Sequence, residues 1–304
     1  MIVVFGSVNI DLVTRVQRLP TGGETVQGSD YFLAPGGKGA NQALAARRMG
    51  SEVAMVGRVG RDAFADLALA LLREGDVNLS AMAPCDRPTG AAFITVEASS
   101  ENQIVIAPGA NGEARADALD ALSVGAGDTL LLQREVPDAE TWKAVGWAKA
   151  RGMRTVLNLA PAGAVPLDVL QSLDILVMNE SEAGILGAEL GIAGSADEIA
   201  GELAARFGLA VVVTLGGEGA LAVTRDGRFR IASFPVSPVD TTAAGDSFVG
   251  AFAAGLDEGF GFAWSLTAGC AAGSLACTVE GAQPSIPVRS EVLRLVESRE
   301  IGDS

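Results

Sequence analysis

The chain has 304 residues, 49% of them hydrophobic, enough for one large domain with a sizeable core or two medium ones. Lys and Arg number 22 against 37 Asp and Glu, a formal charge of −15 that repels phosphate backbones and anionic lipid, so neither nucleic acid nor a membrane surface is an expected partner. Histidine is absent, which excludes Ser-His and Cys-His nucleophile pairs, His bases and His metal ligands.

In chain order, short apolar runs alternate with longer Ala- and Leu-rich stretches. Strands are expected at Ile2–Phe5, 53–56, Thr129–Leu132, 155–158, 175–178 and 211–215, and helices at 38–49, 63–73, 139–150, Ala196–Phe207 and 247–257. This rhythm belongs to an α/β protein whose mostly parallel sheet is covered on both faces. Two segments leave it. Residues 9–35 are polar and carry Pro20, Gly22, Gly23 and Gly28, while 91–97 and 103–107 read as a hairpin joined by 98–102. Together they read as a small β lid, about 11–36 and 90–108, inserted into one α/β domain spanning 1–304. The apolar region 243–279 reads as buried helices, and the tail from Ser298 is expected to fray.

With Tyr31 the one tyrosine, proton transfer falls chiefly to Asp or Glu. Cys85, Cys270 and Cys277 form no Cys-x-x-Cys pair and are odd in number, so they read as reduced, mostly packed thiols. The first apolar run is four residues long with no basic stretch before it, and no segment reaches the roughly 18 apolar residues of a membrane span. A cytoplasmic location is expected.

No Walker-type phosphate loop occurs, because Lys38 is followed by Gly39, and no Gly-x-Gly-x-x-Gly turn follows the first strand. That absence weighs against a nicotinamide-dependent oxidoreductase. The informative stretch is Asp240-Thr241-Thr242-Ala243-Ala244-Gly245-Asp246-Ser247, small residues leading into an apolar helix. Bare amides of residues 243–246 at a helix N-terminus favour an anion, and Asp246 beside them fits a base that deprotonates an attacking hydroxyl. An acid in a first helical turn is also an ordinary stabilising feature. A second glycine-rich helix entry, Gly36-Gly37-Lys38-Gly39-Ala40-Asn41-Gln42, offers Lys38 and Asn41 to hydroxyl groups, and Asn9 and Asp11 share one face of an extended segment, suited to a polyol.

Residues 37–42 and 240–247, extended by Gly281-Ala282-Gln283-Pro284-Ser285, resemble the two signatures of the ribokinase (PfkB-type) family of sugar kinases, in register from about residue 2 to 290. The resemblance implies a three-layer α/β/α fold and ATP-dependent phosphorylation of D-ribose at its 5-hydroxyl. It implies Asp246 as general base, with the amides of Ala243, Ala244, Gly245 and Asp246 as the anion hole. Asn9, Asp11, Gly37, Lys38, Asn41 and Glu135 correspond to sugar-holding positions. Asn179 and Glu182 lie where the family approaches the phosphates and hydrated Mg²⁺, although Asn179 is equally suited to cap a helix. Thr214, Gly216, Gly217 and Gly219 match the nucleotide loop, with Gly245 and Cys270 also on the nucleotide side. A K⁺ site would fall on Asp240, Thr242, Ala276, Val279, Gly281 and Ser285, mostly through main-chain oxygens. Cys270 stands where relatives often carry His or Asn, and Arg134 replaces an apolar residue before Glu135. Another sugar or nucleoside as acceptor, or a silent sugar sensor on the same fold, are the alternatives. The lid's strand edge implies a homodimer.

Overall fold

The computed structural model describes residues 1–97 and 102–302. The hairpin connection expected at 98–102 therefore lies, apart from Asn102, outside the described residues. From the start, β1 (Ile2–Phe5) is followed by β2 (Asn9–Val16), β3 (Phe32–Gly36), α1 (Lys38–Arg48) and β4 (Val53–Gly60). Next come α2 (Ala63–Ala68), α3 (Ala70–Glu74), β5 (Asn78–Cys85), β6 (Gly90–Glu97) and β7 (Asn102–Ala107). The alternation resumes with β8 (Thr129–Leu132), α4 (Asp138–Lys149), β9 (Arg154–Asn158), α5 (Leu167–Ser172), β10 (Ile175–Asn179), α6 (Glu180–Leu190), α7 (Ala196–Phe207) and β11 (Ala210–Thr214). The chain ends with β12 (Ala220–Thr224), β13 (Gly227–Ile231), α8 (Ala244–Asp257), α9 (Phe262–Ala276) and α10 (Arg289–Gly302).

Nine strands form one sheet in the order β13-β12-β11-β10-β9-β8-β1-β4-β5, parallel except where β12 and β13 run antiparallel. Its strands are apolar on both faces because both are covered. Along β1, Ile2 and Val4 enter a core shared with α1, α8 and α9, while Val3 and Phe5 enter a core shared with α4, α6 and α7. This is the expected three-layer arrangement. The second sheet, β3-β2-β6-β7, has β2 parallel to β6 and antiparallel to β3, and β6 antiparallel to β7.

Several expected elements shift by a residue at an end, and β4 runs four residues past its expected end, to Gly60; two other differences bear on the chain's course. The single helix expected at 63–73 is two, because the chain turns at Leu69 between α2 and α3. The helix expected from 247 starts three residues earlier, at Ala244. The last helix, α10, extends to Gly302.

One close approach places the site. A Cβ at Gly250 of α8 would stand 2.4 Å from the Ala45 Cβ and 2.7 Å from the Gln42 carbonyl oxygen of α1. Only glycine lets these two helices touch along their backbones, and that contact brings the first turn of α1 against the first turn of α8.

Candidate active site

Asp246, in the first turn of α8, is 7% exposed and has a hydrogen-bond donor on each oxygen. Asn41 Nδ2 donates to Oδ2 at 2.8 Å and Gln42 Nε2 to Oδ1 at 2.9 Å. Both donors come from α1, so the carboxylate is clamped across the helix pair. Asn41 spends its donor on Asp246, and its buried Oδ1 has no partner among the described residues, leaving an acceptor for a ligand hydroxyl. Gln42 is not among the site residues that the sequence marks, although it belongs to the 37–42 signature that carries the family resemblance.

The sugar-holding candidates gather at the start of α1. The Lys38 main-chain N–H donates to Glu135 Oε2 at 3.0 Å, and Ser7 Oγ donates to the same oxygen at 2.6 Å. Gly37 precedes them with φ of 90°, a turn that suits glycine. Asn9, on β2, is buried and accepts from Asn111 Nδ2 at 2.7 Å. Asn111 is itself fixed by Val8, whose N–H reaches its Oδ1 at 2.9 Å and whose carbonyl accepts from its Nδ2 at 3.1 Å. With the Asn111 amide locked this way, Asn9 can receive only at Oδ1, and its own NH₂ remains the donor for a ligand. Asn111 carries no sequence signal of its own.

Asp11, 8% exposed, lies against Gly36, where a Cβ would stand 2.4 Å from its Oδ2. Burial, then the charges of Glu135 and Asp246, push its carboxyl up to about 7. The charge of Asp246 raises Lys38 against the opposing effect of burial, with help from Glu135 and Glu182. Lys38 is thus the cation among these carboxylates. Arg134, beside Glu135, instead pairs with Asp138 at 2.5 Å and lies over the Trp142 ring.

Ala243, with φ of 60°, turns the chain into α8. Ala244 donates its N–H to the Thr241 carbonyl at 3.2 Å, and the Ser247 N–H closes the first helical turn on Ala243 at 2.8 Å. Of the four amides expected to form the anion hole, Ala244 is therefore engaged, while those of Ala243, Gly245 and Asp246 lack a partner among the described residues. They border a polar cavity of about 200 Å³ lined by Lys38, Asn158, Asn179, Glu182, Ala243, Gly245 and Asp246, among others. Asn179 and Glu182 cap α6 reciprocally, each side chain accepting at 2.8 Å from the other's N–H. Capping and cavity lining coincide in both residues. Burial raises the Glu182 carboxyl, against the Asn179 hydrogen bond and the charge of Lys38.

Thr214, Thr241 and Gly245 also line a second cavity of about 450 Å³, so the two adjoin. Gly216, Gly217, Gly219, Cys270 and the 233–238 segment enclose it, with Phe234, Pro235 and Phe248 supplying apolar wall. The 233–238 wall is not legible from sequence because it carries no glycine pattern. Cys270 is a buried thiol pushed up to about 12, chiefly by burial, and stays protonated.

The candidate cation residues lie together in a loop cluster joined to the entry of α8. Asp240 Oδ1 accepts from the Thr242 N–H at 2.9 Å and its hydroxyl at 2.6 Å, and Oδ2 accepts from the Gly281 N–H at 2.9 Å. Main-chain bonds from Val239 and Asp240 to the Cys277 carbonyl tie the two segments together. Ser285 Oγ donates to the Ala282 carbonyl at 2.7 Å, and the Ala276 carbonyl accepts from the Val279 N–H at 3.3 Å. Burial would raise Asp240, but the Thr242 and Gly281 hydrogen bonds outweigh it and keep the carboxyl below its usual range. Among the described residues, no group of three or more acidic or cysteine side chains is arranged to hold a metal ion.

Comparison with known proteins agrees with this geometry. The family description "pfkB family carbohydrate kinase" matches residues 1–289. Among curated proteins, a ribokinase of Haemophilus influenzae is 39% identical over 299 residues, covering 97% of each chain, and a ribokinase of Bacillus subtilis is 36% identical over 97% of this chain and 99% of its own. Among solved structures, the ribokinase of Thermotoga maritima superposes with a TM-score of 0.90 at 34% identity, covering 97% of this chain and 99% of that one. The ribokinase of Arabidopsis thaliana complexed with ribose and ATP gives 0.86 at 32% identity, with 97% and 98% covered. A match of this extent, over a fold that clamps one carboxylate beside free helix-terminal amides, leaves one assignment: the chain belongs to the pfkB family of carbohydrate kinases.

Proposed function

We propose that the protein transfers the γ-phosphoryl group of ATP to the 5-hydroxyl of D-ribose, yielding ribose 5-phosphate and ADP. The observation that carries this reading is the Asp246 carboxylate, clamped by Asn41 and Gln42 beside the free amides of Ala243, Gly245 and Asp246. The ribose lies between Asn9, Asp11 and Glu135, with the unpartnered Asn41 Oδ1 as a further acceptor. Asp246 takes the proton of the 5-hydroxyl as its oxygen bonds to the γ-phosphorus and the bond to the β,γ-bridging oxygen breaks. The helix-terminal amides and Lys38 stabilise the charge on the phosphoryl oxygens. The larger cavity takes adenosine and the smaller one the phosphates.

Glu182 suits a Mg²⁺ ion that keeps its waters, accepting from them with the oxygen not used in the α6 cap. The Asp240–Gly281 cluster offers main-chain oxygens and a single carboxylate, a donor set suited to K⁺ and poor for a tightly held divalent ion. Either ion would add positive charge next to the transferring phosphates.

A second copy of the chain covers the lid, since β7 is an edge strand with all six residues exposed and Ile104, Val105 and Ile106 among them. Replacing Val105 by Asp then shifts a dimer to monomer in light scattering at micromolar protein. A cytoplasmic setting keeps Cys85, Cys270 and Cys277 reduced. The decisive test is ADP release with ribose, 2-deoxyribose, fructose and adenosine, each with and without Mg²⁺ and K⁺. Ribose is expected to give the highest kcat/KM, and turnover with adenosine alone would overturn the reading.

A further inference from the structure

Three buried side chains, Gln42, Asn158 and Gln133, meet behind Asp246. Gln42 on α1 donates through Nε2 to two acceptors, Asp246 Oδ1 and Asn158 Oδ1, both at 2.9 Å. Asn158, at the end of β9, gives its own Nδ2 to the Val177 carbonyl at 3.3 Å, which turns its oxygen toward Gln42. Gln133, directly after β8 and fully buried, donates Nε2 to Gln42 Oε1 at 2.6 Å. A primary amide has two donors on one end and an acceptor on the other, so these contacts allow Gln42 one orientation. Reversed, it would turn its oxygen on the Asp246 carboxylate and its NH₂ on another NH₂.

We propose that Gln133 is a positioning residue for phosphoryl transfer: by occupying Gln42 Oε1 it forces the Gln42 NH₂ onto Asp246 and so fixes the carboxylate that receives the sugar proton. This deepens the reading of Asp246 as the base and rests on it. Gly6 supplies an independent sign that the chain is built around this amide. A Cβ there would stand 2.1 Å from Gln133 Oε1 and 2.9 Å from the Gly39 Cα, so any larger residue would displace Gln133. Gln133 Oε1 has no hydrogen-bond partner among the described residues, and the group is therefore held by what its nitrogen donates.

The relay acts on the alignment of the base and leaves ground-state sugar contacts to Asn9, Asp11 and Glu135. Misplacing a catalytic group by about 1 Å costs on the order of 10²-fold. Gln133→Met keeps the volume and removes the donor; kcat is expected to fall about 10- to 100-fold, with KM for ribose and for ATP within threefold of wild type. Gln133→Glu is expected to lose more, because its ionised oxygens would draw the Gln42 NH₂ away from Asp246. Thermal melting of both variants reports whether the fold is kept.

The assay separates two failures. If the wild type releases no ADP with ribose, the parent reading falls. If the wild type turns over but kcat of Gln133→Met stays within twofold of it, or falls only together with a matching rise in KM, the relay is wrong and the kinase reading stands. Should Gln133→Met not fold, Gln133→Glu is read by the same two thresholds.

Discussion

Every residue of β1 and β8, at the centre of the nine-stranded sheet, is buried, whereas every residue of β7, at the edge of the four-stranded sheet, is exposed. Asp246 and its amide clamp sit at the rim of the first sheet, where buried strand ends and two touching helices hold polar groups without slack. The second sheet contributes the candidate hydroxyl-binding residues from β2, whose pattern runs from buried at Asn9 and Asp11 to exposed at Arg15. The difference separates two environments. The doubly covered sheet holds polar side chains in fixed geometry, and the smaller sheet runs from buried to solvent-exposed across its strands.

The largest expected effect tests the rigid side. Asp246→Asn removes the base while keeping its size, and kcat should fall by about 10²- to 10⁴-fold in an ADP-release assay. Near-normal turnover would move proton removal to another group. Packing gives the next contrast. Phe252 on α8 is 0% exposed, with ring neighbours Phe248 at 6.1 Å and Phe262 at 5.2 Å. Phe252→Ala should cost about 3–5 kcal/mol in urea unfolding. Phe93 on β6 is half exposed, and Phe93→Ala should cost under about 1 kcal/mol at protein concentrations where the chain is monomeric. Similar losses at the two sites would erase the distinction between the sheets.

A smaller effect is legible in pH. Asp11 holds its proton up to about 7 when folded, against 3.8 for the free group, so between these values the folded state binds more protons than the unfolded one. Stability of the ligand-free protein therefore falls as pH rises from about 4 to 7, by at most about 1.4 kcal/mol per unit for this one group. In Asp11→Asn that contribution is gone. Urea midpoints taken at pH 5 and pH 7 should lie closer together in the variant, and equal spacing in both proteins would show that Asp11 does not carry the dependence. The ion pair between Arg15 on β2 and Glu280 joins β2 to the loop after α9, but both side chains are more than half exposed. Arg15→Ala should change stability by less than about 1 kcal/mol, and the loss should shrink further in high salt.

Much of this is readable in the sequence. The βαβ rhythm follows from local apolar patterning, and the absence of histidine, with a single tyrosine and three scattered cysteines, points the proton transfer chiefly to a carboxylate. Asp246 stands out because small residues and a helix start surround it within a few positions. Asn179 and Glu182 are marked by the family resemblance, and the capping box that joins them is a local, four-residue feature. The break at Leu69 is not, because a run of Ala and Leu continues helical propensity straight through it.

The contacts that orient the site leave no such trace, even where a residue such as Asn41 is itself marked in the sequence. Asn41 and Gln42 are 205 and 204 positions from Asp246, Gln133 is 91 from Gln42, and Asn111 is 102 from Asn9. Helix caps, turns and periodicity arise from interactions over a few residues and are written into the local sequence. Which way a buried amide faces depends on partners that only the packing of α1, α8, β8 and β9 brings within hydrogen-bond reach. The sequence by itself determined the layers, the helix entries and the candidate base; the tertiary structure decided which atoms hold that carboxylate in place.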